Sequence, residues 1–285
     1  MSVKITRLLR VDEREDGAAW AAALQAPGWW PGSTMLKQEG DSWVRRATIM
    51  GRAVVVKCRG LRSPSRRFKA AIGAGHAHKH WRGAARLASA GVRTAKPYVA
   101  ALAQVDDAPA ELLVLEYLEG ESVLHLLKRA HSRGGPGVRV QHAVARAVGA
   151  TIPALLRARW HNRDHKPSNI IVTDASDSGA AVAVIDCVGI HRYGWMGIDE
   201  CEGEEMAAAL MIEPIGCECP PRRSLWMRAL LSAMGQDVKV GTAARANRHA
   251  DLRVLIEEVQ ALIDAHGDPR PRVNPLTGAQ GTAPE

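Results

Sequence analysis

The sequence predicts an α+β chain of two lobes, a small antiparallel sheet with one main helix followed by a mostly helical second lobe. Three observations predict it. Residues 34–57 alternate in polarity, are rich in β-branched side chains and are punctuated by Gly40 and Gly51, the pattern of a three-strand meander. Residues 66–90 have helical composition and stop at Gly91, a C′ glycine. Beyond Gly120, helical segments take up most of the chain.

Taken in order, an amphipathic helix is expected around Glu13–Leu24, before the turn-rich Pro27–Gly32 stretch. The meander strands are Thr34–Gln38, Ser42–Met50 and Arg52–Lys57, and two more strands follow at Pro97–Gln104 and Leu112–Glu116. Helices are expected at Ser122–Arg133, Val138–Arg159, Glu204–Met211, Arg222–Gly235 and Ala243–Ala265, with short strands at Ile170–Thr173 and Val182–Ile185. Residues 267–285 are dense in Pro and Gly without periodicity, the composition of a disordered tail. The expected division is an N-terminal extension (1–34), a sheet lobe (35–116), a helical lobe (117–266) and the tail (267–285), with a cleft between the lobes.

The composition, 46% hydrophobic and 24% charged over 285 residues, is that of a globular protein and argues against wholesale disorder. No apolar run reaches the roughly 18 residues that a membrane-spanning helix needs. The first 16 residues mix charges of both signs without an apolar segment, so no secretory signal is expected. Five cysteines without paired spacing read as reduced thiols of a cytoplasmic protein. The net charge is +8, yet residues 42–105 hold fourteen Lys and Arg and no Asp or Glu, so the rest of the chain is net acidic. Such a basic stretch suits nucleotide phosphates, an anionic membrane surface, a phosphorylated glycolipid or nucleic acid, and reads otherwise as a solvated basic surface. No nucleic-acid partner is expected, because no binding module or stacking-aromatic motif accompanies the charge.

The strongest motif is Arg163-Asp164-His165-Lys166-Pro167-Ser168-Asn169, followed by the apolar Ile170-Ile171-Val172. Phosphoryl transfer needs an acceptor hydroxyl held in line, a carboxylate to take its proton, and metal ligands beside the phosphates. On a loop closed by a strand, Asp164 is the catalytic carboxylate, Lys166 stabilises the transferring phosphoryl group, and Asn169 is a metal ligand. The strand Ala181–Ile185 then delivers Asp186, a second metal ligand. Upstream, Val54-Val55-Val56-Lys57 ends the meander in a lysine suited to phosphates. Leu113–Gly120 reads as the connector between lobes, with backbone groups of Glu116 and Leu118 toward an adenine edge.

With these motifs the chain resembles the protein kinase-like superfamily and, within it, the bacterial lipopolysaccharide kinases that phosphorylate inner-core heptose or Kdo sugars. The resemblance spans roughly residues 35–213. It rests on Gly51–Lys57, Arg67-Phe68-Lys69 leading to His80-Trp81-Arg82, the Leu87…Gly91-Val92-Arg93-Thr94 helix exit and the catalytic loop. It implies a bilobal kinase fold, ATP and Mg²⁺ as cofactors, Lys57 on the phosphates, Asp164 as base, and Asn169 and Asp186 on Mg²⁺. It also implies a glycolipid or sugar acceptor and a cytoplasmic location, with peripheral contact at the inner membrane.

Departures are visible too. His80 stands where these kinases have a helix glutamate, and the usual His before Arg-Asp is Asn162, with His161 one place earlier. Asp186-Cys187-Val188 lacks the Phe-Gly of protein kinases, and there is no GxGxxG loop near Gly40. Two alternatives follow: a nucleotide-binding pseudokinase without turnover, and a protein or small-molecule kinase. Elsewhere, Cys217 and Cys219 with Cys201 lack a second ligand pair at zinc spacing, and His76, His78 and His80 fall on different faces of a helix. The acidic cluster Asp199–Glu205 reads as the solvated start of a helix; the resemblance implies as an alternative that Glu205 braces the catalytic loop. Trp29-Trp30 reads as packing on the sheet lobe.

Overall fold

The computed structural model describes residues 2–132, 134–192, 202–235, 242–271 and 273–278, with only the backbone of 242–250. The chain divides into two compact units: Met1–Ala85 with Ala95–Leu118, and Arg86–Thr94 with Glu119–Glu285.

The first unit is built on strands β1 (Val3–Val11), β2 (Thr34–Glu39), β3 (Ser42–Ile49), β4 (Arg52–Gly60), β5 (Pro97–Val105) and β6 (Ala108–Glu116). They form one antiparallel sheet in the order β1-β5-β6-β4-β3-β2. The expected meander is β2–β4. Its second turn, Met50-Gly51, has both residues at positive φ, which matches the twist of a two-residue hairpin. Residues before Thr34, expected to hold only a helix and a turn, also contribute β1, which pairs with β5.

One face of this sheet carries Val54, Val56 and Cys58 from β4 with Ala110, Leu112 and Val114 from β6. Helix α1 (Gly17–Gln25) lays the fully buried Trp20 and Leu24 on that core, and Trp20 stacks on Tyr98. Trp29 is buried in the same cluster, with its Nε1–H donated to Leu24 O, and Trp30 meets Trp43 edge-on. Both tryptophans are therefore packing residues.

The single helix expected over 66–90 is two helices, α2 (Pro64–Ala71) and α3 (His76–Ser89). Ser63 caps the start of α2 by accepting from Arg66 N. Gly73 ends it with φ +76, its N–H donated to Ala70 O and that of Ala74 to Lys69 O. This paired closure is available to a left-handed glycine and stops the helix outright. The first turn of α3 is held from the sheet: Glu111 of β6, only 3% exposed, accepts from His76 N through Oε2.

The second unit contains α4 (Val123–Ala130), α5 (Val138–Arg157), α6 (Glu202–Gly216), α7 (Arg223–Ala233) and α8 (Thr242–Ala265). It also holds the short strands β7 (Glu121–Ser122), β8 (Trp160–Asn162), β9 (Ile170–Ala175), β10 (Ala180–Val184) and β11 (Ile190–Arg192). β10-β9-β7 form one small sheet and β11-β8 another. The central helix α5 buries Val144, Val148, Ile152 and Leu155.

Part of the stretch expected to be a disordered tail is packed. Leu276 sits against the buried Leu124, Cys217 and Cys219, and the backbone of 274–278 closes through Gly278 N to Asn274 O. Residues 279–285 lie outside the described residues. The same cluster accounts for the two cysteines as apolar core: burial pushes the Cys217 thiol up to about 11 and raises that of Cys219, so neither is a thiolate. Cys201 lies outside the described residues.

Glu111 is the carboxylate on which the start of α3 depends. Glu111→Ala is expected to destabilise the protein by about 1–2 kcal/mol, the cost of a lost helix cap. Glu111→Gln, which keeps one acceptor oxygen, is expected to cost less, and urea unfolding of the two variants beside the parent measures both.

Candidate active site

The residues expected to carry chemistry in the second unit share one loop and one strand end. Helix α5 closes at Ala158, Arg159 takes a left-handed φ of +59, and the chain turns into β8 and then the loop of residues 163–169. β9 follows at once, and the β9–β10 hairpin returns the chain to Asp186.

A series of hydrogen bonds fixes the backbone of Asp164. The Thr151 hydroxyl donates to Val148 O at 2.6 Å, so toward His165 Nε2, 3.0 Å away, it accepts. His165 is thereby the Nε2–H tautomer, and its Nδ1 lone pair faces the Asn162 amide nitrogen at 3.3 Å. Asn162 then turns its Oδ1 to accept from Asp164 N at 3.2 Å. His165 and Asn162 are fully buried, and burial pushes the His165 imidazole down to about 4, keeping it neutral as the series requires.

Asn169 is aimed by the same loop. Its Nδ2 donates to Asp164 O at 3.0 Å, which orients the amide with Oδ1 turned away from that carbonyl. The Asn169 carbonyl accepts from Ile185 N at 2.9 Å, so the residue preceding Asp186 is tied directly to the loop. Thr94 anchors the far side of this strand end, donating to Val184 O at 2.6 Å and lying 3.2 Å from Cys187 Sγ. Asn169 thus ties the backbone of Asp164 to Ile185, the residue before Asp186, one bond made by its side chain and the other by its carbonyl.

Lys166 is held from α6. Its Nζ lies 3.7 Å from Glu213 Oε1, and Glu213 also accepts from Ser168 N (2.7 Å) and Ser168 Oγ (2.6 Å). Glu213, with a side chain 7% exposed, is the carboxylate that braces the loop. The expectation placed that role on Glu205, which instead meets His161 Nε2 at 3.3 Å, just upstream in β8. His161 Nδ1 faces His191 Nε2 at 3.3 Å, and His191 Nδ1 meets Gly189 O. Burial lowers the His161 pKa, His191 and Arg163 add to that, and Glu205 opposes it.

Gly189 has a tight spatial requirement. A Cβ there would lie 2.5 Å from Asp164 Oδ2, so the carboxylate rests against bare backbone. Arg163 flanks the other side at 3.3 Å from the same oxygen.

The remaining expected residues belong to the first unit. Lys57 is on β4, on the sheet face opposite Val54, Val56 and Cys58, and shares that face with Arg59 and Glu111 across the β4–β6 pair. Glu111 was not among the candidate residues; it lies opposite Arg59 on the Lys57 face of the β4–β6 pair and is engaged at the start of α3. His80 on α3 is fully buried. Glu116 ends β6, donating its N–H to Lys96 O (2.8 Å) and accepting from Lys96 N through Oε2 (3.2 Å). Leu118 is buried and ends the first unit.

Comparison with known proteins adds three findings. Residues 45–189, just over half of the chain, match the lipopolysaccharide kinase (Kdo/WaaP) family. The solved structure of WaaP in complex with acyl carrier protein superposes with a TM-score of 0.56 and 17% identity, covering 81% of this chain and 88% of that one. A BubR1 kinase domain superposes at 0.41 with 13% identity, over 70% of this chain and 59% of that one. The first likeness establishes the kinase-like fold. No curated protein matches the sequence.

The buried histidine makes the loop acid-sensitive. A folded-state pKa of about 4 against 6.5 for a free imidazole means that unfolding takes up a proton. The cost is absent above about pH 6.5 and grows as the pH falls toward 4, reaching roughly 3 kcal/mol. Urea unfolding across this range is expected to show that loss in the parent, with a shallower slope in His165→Gln.

Proposed function

Because the chain belongs to the lipopolysaccharide kinase (Kdo/WaaP) family, we propose that it transfers the γ-phosphoryl group of ATP, with Mg²⁺, to a sugar hydroxyl of the lipopolysaccharide inner core. The observation that carries this reading is the tie between Asp164, Asn169 and the strand end of Asp186 through Asn169 Nδ2–Asp164 O and Ile185 N–Asn169 O.

The residues fit the cofactor. Asn169 Oδ1 and the Asp186 carboxylate are hard oxygen donors, the kind Mg²⁺ takes, and Asn169 is oriented by its own amide hydrogen bond. When bound, ATP·Mg²⁺ supplies the phosphoryl group and neutralises charge that develops during transfer. Asp164 accepts the proton of the sugar hydroxyl and orients it, its backbone held by Asn162 and its carboxylate seated against Gly189. Lys166, positioned by Glu213, offsets charge on the transferring group. In the first unit, Lys57 holds phosphates, and the backbone of Glu116 and Leu118 meets the adenine edge. The acceptor being a glycolipid, the protein acts at the cytoplasmic face of the inner membrane. Among the described residues no helix is long and apolar enough to cross a membrane.

His80 favours a second reading, a pseudokinase that binds nucleotide without turnover: a fully buried imidazole occupies the helix position where kinases place a glutamate. Two measurements separate the readings. ATP with Mg²⁺ at about 100 times its dissociation constant adds roughly 2.7 kcal/mol to stability, and the proposal expects that thermal shift, absent in Asp186→Ala. Phosphate transfer to purified inner-core glycolipid is expected to fall by about 10²–10⁴-fold in Asp164→Asn while the ATP shift persists. A shift without transfer in the parent protein overturns the glycolipid acceptor and favours the pseudokinase once protein and small-molecule acceptors also stay unlabelled, and no shift at millimolar nucleotide removes both readings.

A further inference from the structure

The sole phenylalanine of the chain, Phe68, is 65% exposed, and Ile72, one helical turn later, is 59% exposed. Apolar side chains of this size are ordinarily the first to be buried. Both belong to α2 and its C-cap, and of the eight residues of α2 only Ala70 is buried. The helix therefore gives the sheet almost nothing, yet it is firmly closed by the Ser63 cap at one end and by Gly73 at the other.

The arrangement of charge around this pair is specific. At 100° per residue, Phe68 and Ile72 share one stripe, and Arg67 and Lys69 project about 100° to either side of it. Arg66 lies on the opposite side, 4.0 Å from Asp41, and Arg62 precedes the helix, 3.3 Å from the same carboxylate. Arg67 is steadied by donating Nε–H to Leu61 O at 2.9 Å. The helix itself has no acid, and none occurs anywhere in residues 42–105.

An apolar stripe bordered by cations, on a short capped helix, is the pattern of an element lying in the plane of an anionic bilayer. We propose that α2 is a membrane-surface anchor, with Phe68 and Ile72 entering the acyl boundary and Arg62, Arg67 and Lys69 resting on anionic headgroups. Charge complementarity selects the lipid: the cations attract an acidic leaflet, and the apolar pair requires a hydrocarbon phase that nucleic acid does not offer. The anchor rests on the glycolipid-kinase reading for its purpose, since it would bring the enzyme to a membrane-embedded acceptor, but its lipid binding is measured without turnover.

The full chain is tested by co-sedimentation with phosphatidylcholine vesicles, with and without phosphatidylglycerol. The parent is expected to bind only the anionic vesicles and to be released by salt. Phe68→Ser and Ile72→Ser are each expected to lower the partition coefficient by roughly tenfold, and Lys69→Glu by about fivefold or more. Because these positions are exposed, thermal midpoints should match the parent, and light scattering reports the oligomeric state. Equal vesicle binding by parent and variants overturns the proposal, as does a parent that ignores anionic vesicles. So does a dimer that Phe68→Ser dissociates, which would mean that a second copy covers the stripe. Phosphate transfer then distinguishes this inference from the functional reading. The serine variants should keep activity on deacylated, water-soluble inner-core sugar and lose it on the same acceptor in vesicles. Vesicle binding lost in the variants, with no transfer by the parent to either acceptor, defeats the kinase reading and leaves the anchor standing.

Discussion

The loop that carries Asp164 depends on one constraint: polar groups sealed away from water must each find a partner. Val148 O, Thr151, His165, Asn162 and the amide of Asp164 form a single directed series, and each bond fixes the proton position of the next. A charged imidazole would reverse the sense of the Asn162 contact by making both ring nitrogens donors. Burial, which keeps His165 neutral, is therefore also what sets which way Asn162 faces and where the backbone of Asp164 sits. The second tether, Glu213, works by charge: one carboxylate gathers Ser168 N, Ser168 Oγ and Lys166. The loop is thus held from α5 by a neutral series and from α6 by an anion.

The first unit uses a buried carboxylate for a different end. Glu111 lies beside Arg59 across the β4–β6 pair and spends its acceptor capacity on the first turn of α3. Burial raises its pKa, an effect partly offset by its bonds to the His76 and Ala77 amides and by Arg59. The helix is in this way fastened to the sheet at its N-terminus, with the imidazole of His80 buried further along.

Much of this was legible in the sequence, and the exceptions have identifiable causes. The β2–β4 meander, β5, β6 and the long helices announced themselves through period and turn glycines, and the loop of residues 163–169 through residue types at fixed offsets. β7, β8 and β11, of two or three residues each, are too short to carry a period. β1 was hidden by its charges: Lys4, Arg7 and Arg10 alternate irregularly because the pairing with β5 contains bulges. The break between α2 and α3 was marked by Gly73 and Gly75, which the helical composition on either side outweighed. Glu205 and Glu213 lie eight residues apart, close to two helical turns, so one face of α6 carries both. The family resemblance drew attention to the first, whereas the fold sets the second against Ser168. Thr151 gave no signal, since a hydroxyl acquires meaning only once a fold has buried it, and Asn162 stood out only as a departure from the usual His, with nothing to show that its amide would hold the loop.

Gly189 has one further consequence. The decisive property of this glycine is the volume it leaves empty. The atom that a methyl group would strike is the far end of the Asp164 side chain, which can swing aside at little conformational cost. The fold would tolerate alanine while the carboxylate lost its seat. The volume left empty at this one position therefore belongs to the Asp164 carboxylate more than to the core, and an added carbon there would be felt first in where that side chain points.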